Sequence, residues 1–235
     1  MKTFIVIPTY NERDNIERLL TEIFQLRIPE LSVIVVDDNS PDGTTDIAKR
    51  LAAGYPIHVI QREKKQGIGS AYIAGFKKAL VDGADYIFEM DADLSHDPHD
   101  IPRLLEKMNG CDLAIGSRRV PGGDIVGWNM RRHFTSSAAT IFSRFILKLK
   151  TNDVTAGFRC YRRKVLESIN LDAITSNGYA FQEEMLYKTE QSGFVVVEVP
   201  VTFIDRKKGK SKLSSRDIIE FFAVMMRLRL HRNRH

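Results

Sequence analysis

The sequence predicts an α/β protein: a mostly parallel sheet flanked by helices, with an amphipathic helix near the C-terminus. Three observations lead there. Strand-like apolar runs alternate with helical patterns from residue 3 to residue 116, as in consecutive βαβ units. The run 31–37 is almost continuous in Ile and Val, the mark of a strand covered on both faces. Three of the runs end abruptly in polar side chains, and open α/β sheets bind ligands beyond the carboxyl ends of their strands.

In order, residues 3–8 form the first strand and 12–26 a helix, with Ile16, Leu19, Leu20 and Ile23 at helical spacing. Residues 31–37 follow as a strand, 44–53 as a helix, 57–61 as a strand and 69–82 as a helix. The strand 86–90 delivers Asp91-Ala92-Asp93. Asp97-Pro98 opens a helix running to residue 107, and 113–116 is the next strand. Residues 117–130 read as a Gly-containing loop. The pattern then predicts a helix over 131–148 whose apolar face is Phe134, Ala138, Ile141, Phe142, Phe145 and Leu149. A strand over 194–203 is interrupted by Pro200, 205–215 is a basic loop, and 216–230 is the last helix.

Bulk properties narrow the class. At 235 residues the chain fits one domain with a small appendage. Met1-Lys2-Thr3 leads straight into a strand, so no secretory leader is expected, and no apolar run reaches the roughly 20 residues of a membrane span. Cys111 and Cys160 sit among apolar neighbours and read as buried thiols of a reducing compartment. Residues 205–235 hold ten Lys/Arg against three Asp/Glu, while the rest is nearly balanced. That asymmetry suits an anionic surface or a phosphorylated ligand. No helix-turn-helix, zinc-finger or RNP pattern supports nucleic acid as a partner.

The chemistry-bearing residues cluster at strand ends. Asp91 and Asp93, one residue apart where a strand becomes a loop, can aim two carboxylates at one point. Mg2+ or Mn2+ is often held by one or two carboxylates plus substrate phosphates. Pro8-Thr9-Tyr10-Asn11-Glu12 and Asp37-Asp38-Asn39-Ser40 repeat the design. Asp38 and Asp42 also suit a turn and helix cap, whereas Asp37, directly after a buried strand, is placed for a nucleoside. Gly67-Ile68-Gly69 falls short of a dinucleotide fingerprint because Tyr72 stands where the third Gly belongs; tight packing at a helix start accounts for it better. Arg118, Arg119, Arg131 and Arg132 are either surface residues or phosphate contacts. The 205–213 run is either a solvated charge run or a mobile clamp over a diphosphate. Basic residues flank both late helices, an arrangement suited to an anionic membrane surface as well as to a core.

Together these motifs resemble the polyprenol-phosphate (dolichol-phosphate) mannosyltransferases, inverting enzymes of the GT-A nucleotide-sugar fold. The likeness runs from Thr3 to Leu213 and includes Gly116-Ser117-Arg118, Gly127-Trp128, Gly157-Phe158-Arg159, Gly178-Tyr179-Ala180-Phe181-Gln182 and Asp205-Arg206. The resemblance implies a GT-A catalytic domain over 1–204, with an acceptor loop and amphipathic helix at about 117–149. It implies that 205–235 form a basic donor clamp and C-terminal helix. Pro8, Tyr10, Glu12, Val35 and Asp37 would receive the nucleoside of GDP-mannose, and Met90, Asp91, Ala92 and Asp93 its diphosphate. Asp91 and Asp93 would be the metal ligands. Arg118, Arg206 and Lys212 would contact donor phosphates or sugar, while Arg118, Arg132 and Ser136 would grip the phosphate of a polyprenyl or dolichyl acceptor. Ser95 stands where some relatives carry Gln, and Ala156-Gly157 where relatives often have Ser/Gly pairs. The expected location is peripheral, on the cytoplasmic face of a membrane; some relatives rely on small membrane partner subunits. A glucosyl or other hexosyl transferase, and a non-catalytic nucleotide-sugar-binding module, are the competing readings.

Overall fold

The computed structural model describes residues 1–174, 176, 178, 180–205 and 215–232. The first four strands, β1 (Thr3–Thr9), β2 (Leu31–Asp37), β3 (Ile57–Gln61) and β4 (Tyr86–Glu89), are linked by helices α1 (Arg13–Gln25), α2 (Thr44–Leu51) and α3 (Ile68–Val81). They pair in parallel in the order β3-β2-β1-β4. Helix α4 (Ile101–Lys107) then leads to β5 (Leu113–Ser117) and the short β6 (Asp124–Val126). After α5 (Met130–Leu147) come β7 (Arg159–Arg162), α6 (Arg163–Ser168) and α7 (Ala180–Gln191). The chain closes with β8 (Val196–Pro200), β9 (Thr202–Ile204) and α8 (Ser215–Arg232).

The main sheet has seven strands in the order β3-β2-β1-β4-β7-β5-β8. Strand β7 lies antiparallel between β4 and β5, while β5 and β8 pair in parallel. Six strands therefore point their carboxyl ends the same way, which gathers their loops on one rim. Alternation along each strand feeds two cores. Phe4, Val6, Ile34 and Val36 face the layer containing α3, α7 and α8, while Ile5, Ile7, Val33 and Val35 face α1 and α4. Strands buried on both faces need no polar alternation, hence the unbroken Ile/Val runs. Cys111 and Cys160 are buried free thiols, and burial raises the pKa of both.

Three differences from the sequence reading have physical causes. Strand β7 escapes periodicity because Arg159-Cys160-Tyr161-Arg162 places arginines at both ends of four residues. Helix α7 buries Gln182, Glu183 and Glu184 along with its apolar residues, so it has no polar face to detect. The stretch 194–203 is two strands in two sheets, divided at Pro200, and β9 pairs with β6 from within the expected loop.

Helix α5 presents its apolar stripe outward. Thr140, Ser143 and Leu147 are buried, whereas Met130, Phe134, Ile141 and Phe145 are 68–84% exposed. Of the expected apolar face only Phe142, which meets the rings of Phe221 and Phe222 on α8, and buried Leu149 turn inward. Next to it, α8 sends Val224, Met225 and Leu228 into the core and leaves Phe222, Met226 and Leu230 exposed. No helix among the described residues is long and apolar enough to cross a membrane.

Candidate active site

Beyond the carboxyl ends of β1 and β4 lies a cleft of about 270 Å³. Pro8, Tyr10 and Glu12 from the first strand end line it together with Asp91, Ala92 and Asp93. Three connecting loops reach it through residues in the left-handed region: Asn11 (φ 61°), Asn39 (φ 60°) and Leu94 (φ 61°). Asn tolerates that conformation; for Leu94 it costs roughly 1–2 kcal/mol, held in place by the packing of its side chain against the core.

The acidic pair is fixed from behind. Tyr72 on α3 donates its phenolic proton to Asp91 Oδ1 at 3.0 Å. The Asp91 amide donates to His96 Nδ1 at 3.3 Å, and Asp93 Oδ1 accepts from both the amide and the hydroxyl of Ser95. Burial, reinforced by Asp91 and Glu89, pushes the Tyr72 pKa well up, so the phenol stays a donor. Burial also lowers the His96 pKa against the pull of Asp91 and Asp93. A neutral ring with its proton on Nε2 is the form that leaves Nδ1 able to accept. Gly157 closes the back: a Cβ there would stand 3.6 Å from both Asp91 Oδ2 and Gln182 Nε2.

Three of the residues expected at the site lie below its surface. Val35, Asp37 and Met90 are buried beneath the cleft. Asp37 accepts four hydrogen bonds, from the Thr9 and Thr45 hydroxyls and from the amide and hydroxyl of Ser40. Burial alone would raise its pKa, but these donors outweigh burial and lower it. Its carboxylate thus ties the ends of β1 and β2 together. Asp38 lines the cleft, paired with Arg62, whose other nitrogens hold Ser70 and the Gly67 carbonyl. Lys65 stands 4.1 Å from the centre of the Tyr10 ring. Sequence reasoning passed over Lys65 and Arg62 because nothing local ties them to Tyr10 and Asp38. In the sequence Tyr72 stands out only as a misfit to a glycine pattern. Gly69 does serve tight packing, since a Cβ there would meet the Ser176 carbonyl at 2.8 Å, while Gly67 takes a left-handed φ of 97°.

A cationic half adjoins the acidic one. The His96 ring stacks on Phe158 and meets Phe203 edge-on at 5.8 Å, and Phe203 in turn meets Trp128 at 5.7 Å. Arg118 and Arg132 both lie over Trp128, at 5.6 and 4.3 Å. Arg118 is held bidentately by buried Asp153 at 2.7 and 2.6 Å and donates to Thr155. Arg132 pairs with Asp205 at 2.7 Å, and Ser136 accepts from Arg119 at 2.9 Å. Arg206 and Lys212 lie outside the described residues.

A carboxylate pair and an arginine cluster beyond the carboxyl ends of a mostly parallel sheet place a ligand site there, as in other open α/β enzymes. Residues 4–169 match the model of the glycosyl transferase family 2, and the chain belongs to that family. It is 50% identical over 217 residues to undecaprenyl-phosphate mannosyltransferase of Micrococcus luteus, a match covering 91% of this chain and 88% of the relative. It is 46% identical over 222 residues to polyprenol monophosphomannose synthase of Mycolicibacterium smegmatis, covering 93% and 83%. Among solved structures, glucosyl-3-phosphoglycerate synthase of Mycobacterium tuberculosis, crystallised with Mn2+, UDP and glucosyl-3-phosphoglycerate, superposes with a TM-score of 0.69. The match has 20% identity and covers 97% of this chain and 79% of that one. Mannosyl-3-phosphoglycerate synthase of Rubrobacter xylanophilus gives 0.70 at 22% identity, covering 100% and 74%. The protein is a glycosyltransferase with a GT-A-type fold.

Proposed function

We propose that this chain transfers mannose from GDP-mannose to the phosphate of a polyprenyl or dolichyl monophosphate, inverting the anomeric carbon. The observation that carries the reading is an aspartate-lined cleft joined to a cluster of arginines. The Asp91/Asp93 cleft and the Arg118/Arg132 cluster are joined through His96, Phe203 and Trp128. The names of the two curated relatives point to the same donor sugar and acceptor class.

A phosphate monoester carries about −1.5 to −2 charges at pH 7 and is nucleophilic without a general base. One of its oxygens forms the new bond to sugar C1 while the bond from C1 to the nucleoside diphosphate breaks. The protein's task is therefore alignment and charge management. Arg118, Arg132 and Ser136 hold the nucleophile; Arg206 and Lys212 contact the donor phosphates. Pro8, Tyr10 and Glu12 receive the nucleoside, with Val35 and Asp37 shaping the floor beneath it.

Mg2+ or Mn2+ fits the donor set: two half-buried, oxygen-only carboxylates one residue apart, with donor phosphates and water left to complete a hard ion's shell. Among the described residues no cluster of three or more His, Cys, Asp or Glu offers an all-protein site. Asp91 and Asp93 would hold the ion, and the chemistry it supplies when bound is neutralisation of charge on the departing diphosphate.

The exposed stripes on α5 and α8 support a peripheral location at a membrane surface, where a lipid-linked phosphate would reach Arg132 at the start of α5. Residues 205–235 would supply the donor clamp and part of that surface. The decisive assay follows transfer of labelled mannose to a short polyprenyl phosphate. Asp91→Ala and Asp93→Ala are expected to abolish transfer while the fold persists; turnover by the wild type in excess chelator would overturn the reading.

A further inference from the structure

Arg119 spends its charge differently from its neighbours. Arg118 is balanced by Asp153 and Arg132 by Asp205, one carboxylate each. The carboxylate nearest Arg119 is also Asp153, 3.9 Å from Nε and already accepting three hydrogen bonds from Arg118. Of these three arginines, Arg119 thus supplies the net positive charge. Its Nη1 and Nη2 donate to Ser137 and Ser136 at 3.1 and 2.9 Å, while its Nε, buried from solvent, finds no acceptor. Burial lowers its pKa; Asp153 opposes the shift and Arg118 adds to it.

The serines complete the arrangement. A hydroxyl whose oxygen accepts from a guanidinium must turn its own proton elsewhere. Among the described residues, neither the Ser136 nor the Ser137 hydroxyl proton has an acceptor. Two unspent O–H groups beside a guanidinium whose one nearby carboxylate is shared with Arg118 form a set suited to a tetrahedral oxyanion.

We infer that Arg119 and Ser137, together with Ser136, form the seat for the phosphate monoester of the acceptor, Arg119 supplying its net charge and orienting both hydroxyls. The inference rests on the acceptor class proposed above and adds two residues to it. Arg118, tied to Asp153, and Arg132, paired with Asp205, keep the acceptor contacts proposed above.

The test is steady-state kinetics of Arg119→Gln, Arg119→Lys and Ser137→Ala with GDP-mannose and a short polyprenyl phosphate. Loss of a charged hydrogen-bonding group predicts a rise of about 10- to 100-fold in acceptor KM for Arg119→Gln, with donor KM unchanged. Arg119→Lys, keeping charge without the fork, recovers part of the loss. Ser137→Ala raises acceptor KM in the wild type but little further in Arg119→Gln, because the arginine orients that hydroxyl. Should Arg119→Gln fail to fold, Arg119→Lys and Ser137→Ala carry the same comparison. Unchanged acceptor KM, or equal losses for donor and acceptor, would overturn the inference. A second arm titrates inorganic phosphate and a short prenyl monophosphate against fluorescence of Trp128, the chain's single tryptophan. If the wild type binds the monoester and Arg119→Gln does not, yet no mannose is transferred, the seat stands and the mannosyl reading falls. If both bind equally, the seat falls.

Discussion

Tyr72 and Asp91, on α3 and just beyond β4, are joined by a 3.0 Å hydrogen bond that crosses from the apolar core to the cleft. The phenol is fully buried, and its ring lies parallel to that of Phe181 at 5.8 Å. The core thereby fixes the orientation of a carboxylate that lines the cleft. Removing the hydroxyl alone, in Tyr72→Phe, should leave the stack intact and loosen Asp91. Lost outer-shell support of a metal ligand typically costs about 10- to 100-fold in metal affinity or activity. Mn2+ titration of activity, alongside a thermal melt, checks this. An unchanged metal requirement would show that the bond is only structural.

Helix α3 comes so close to β1 that a Cβ on Gly75 would lie 2.2 Å from Val6 Cγ1. Alanine is the better helix former by about 1 kcal/mol. Overpacking a rigid core costs about 1–3 kcal/mol, so Gly75→Ala should still be net destabilising. Urea denaturation should show the loss, and Val6→Ala in the same chain should restore part of it. A stabilised single variant would mean the helix can shift away from the sheet.

Glu183 is fully buried on α7, and neither carboxylate oxygen reaches a hydrogen-bond partner. Burial lifts its pKa from an ordinary 4.5 to about 8, against the pull of Arg159. The native state then keeps a proton that the unfolded chain releases, so this group's contribution to stability falls as pH rises from about 4.5 to about 8. Glu183→Gln should remove that slope, gaining up to about 3 kcal/mol at pH 7 and nothing below pH 4.5. Denaturation of both proteins between pH 4.5 and pH 8 tests it; parallel curves would sink the prediction. Glu89, raised by burial to about 7, adds its own slope to both chains and cancels in the comparison.

Phe134 and Phe145, 76% and 80% exposed, should matter to lipid binding and not to folding. Replacing both with Ser removes apolar area worth about 1.5–3 kcal/mol per fully buried side chain. Sedimentation with anionic vesicles should fall at least several-fold with the melting temperature unchanged. A lowered melting temperature would instead place the stripe inside a folded contact.

Four parallel strands, β1 to β4, and the rim on which their loops meet were legible in the sequence, as was the placing of Asp91 and Asp93 on that rim. Those features rest on short-range patterns: apolar runs of strand length, polar residues directly after them, helical spacing between them. How neighbours with similar side chains divide their work depends on contacts between distant parts of the chain. Asp37 is spent on Thr9, Ser40 and Thr45 while Asp38 lines the cleft, and Asp153 accepts three hydrogen bonds from Arg118 while Arg119 reaches it only at 3.9 Å. Such contacts also turn Phe134, Ile141 and Phe145 of α5 outward and Thr140, Ser143 and Leu147 inward. Periodicity shows that a helix has two unlike faces; which face meets the core depends on partners such as α8, more than 70 residues further along the chain. Charge partners separated by 35 residues, as Arg118 and Asp153 are, leave no trace in local spacing, because a hydrogen bond depends on distance in space alone.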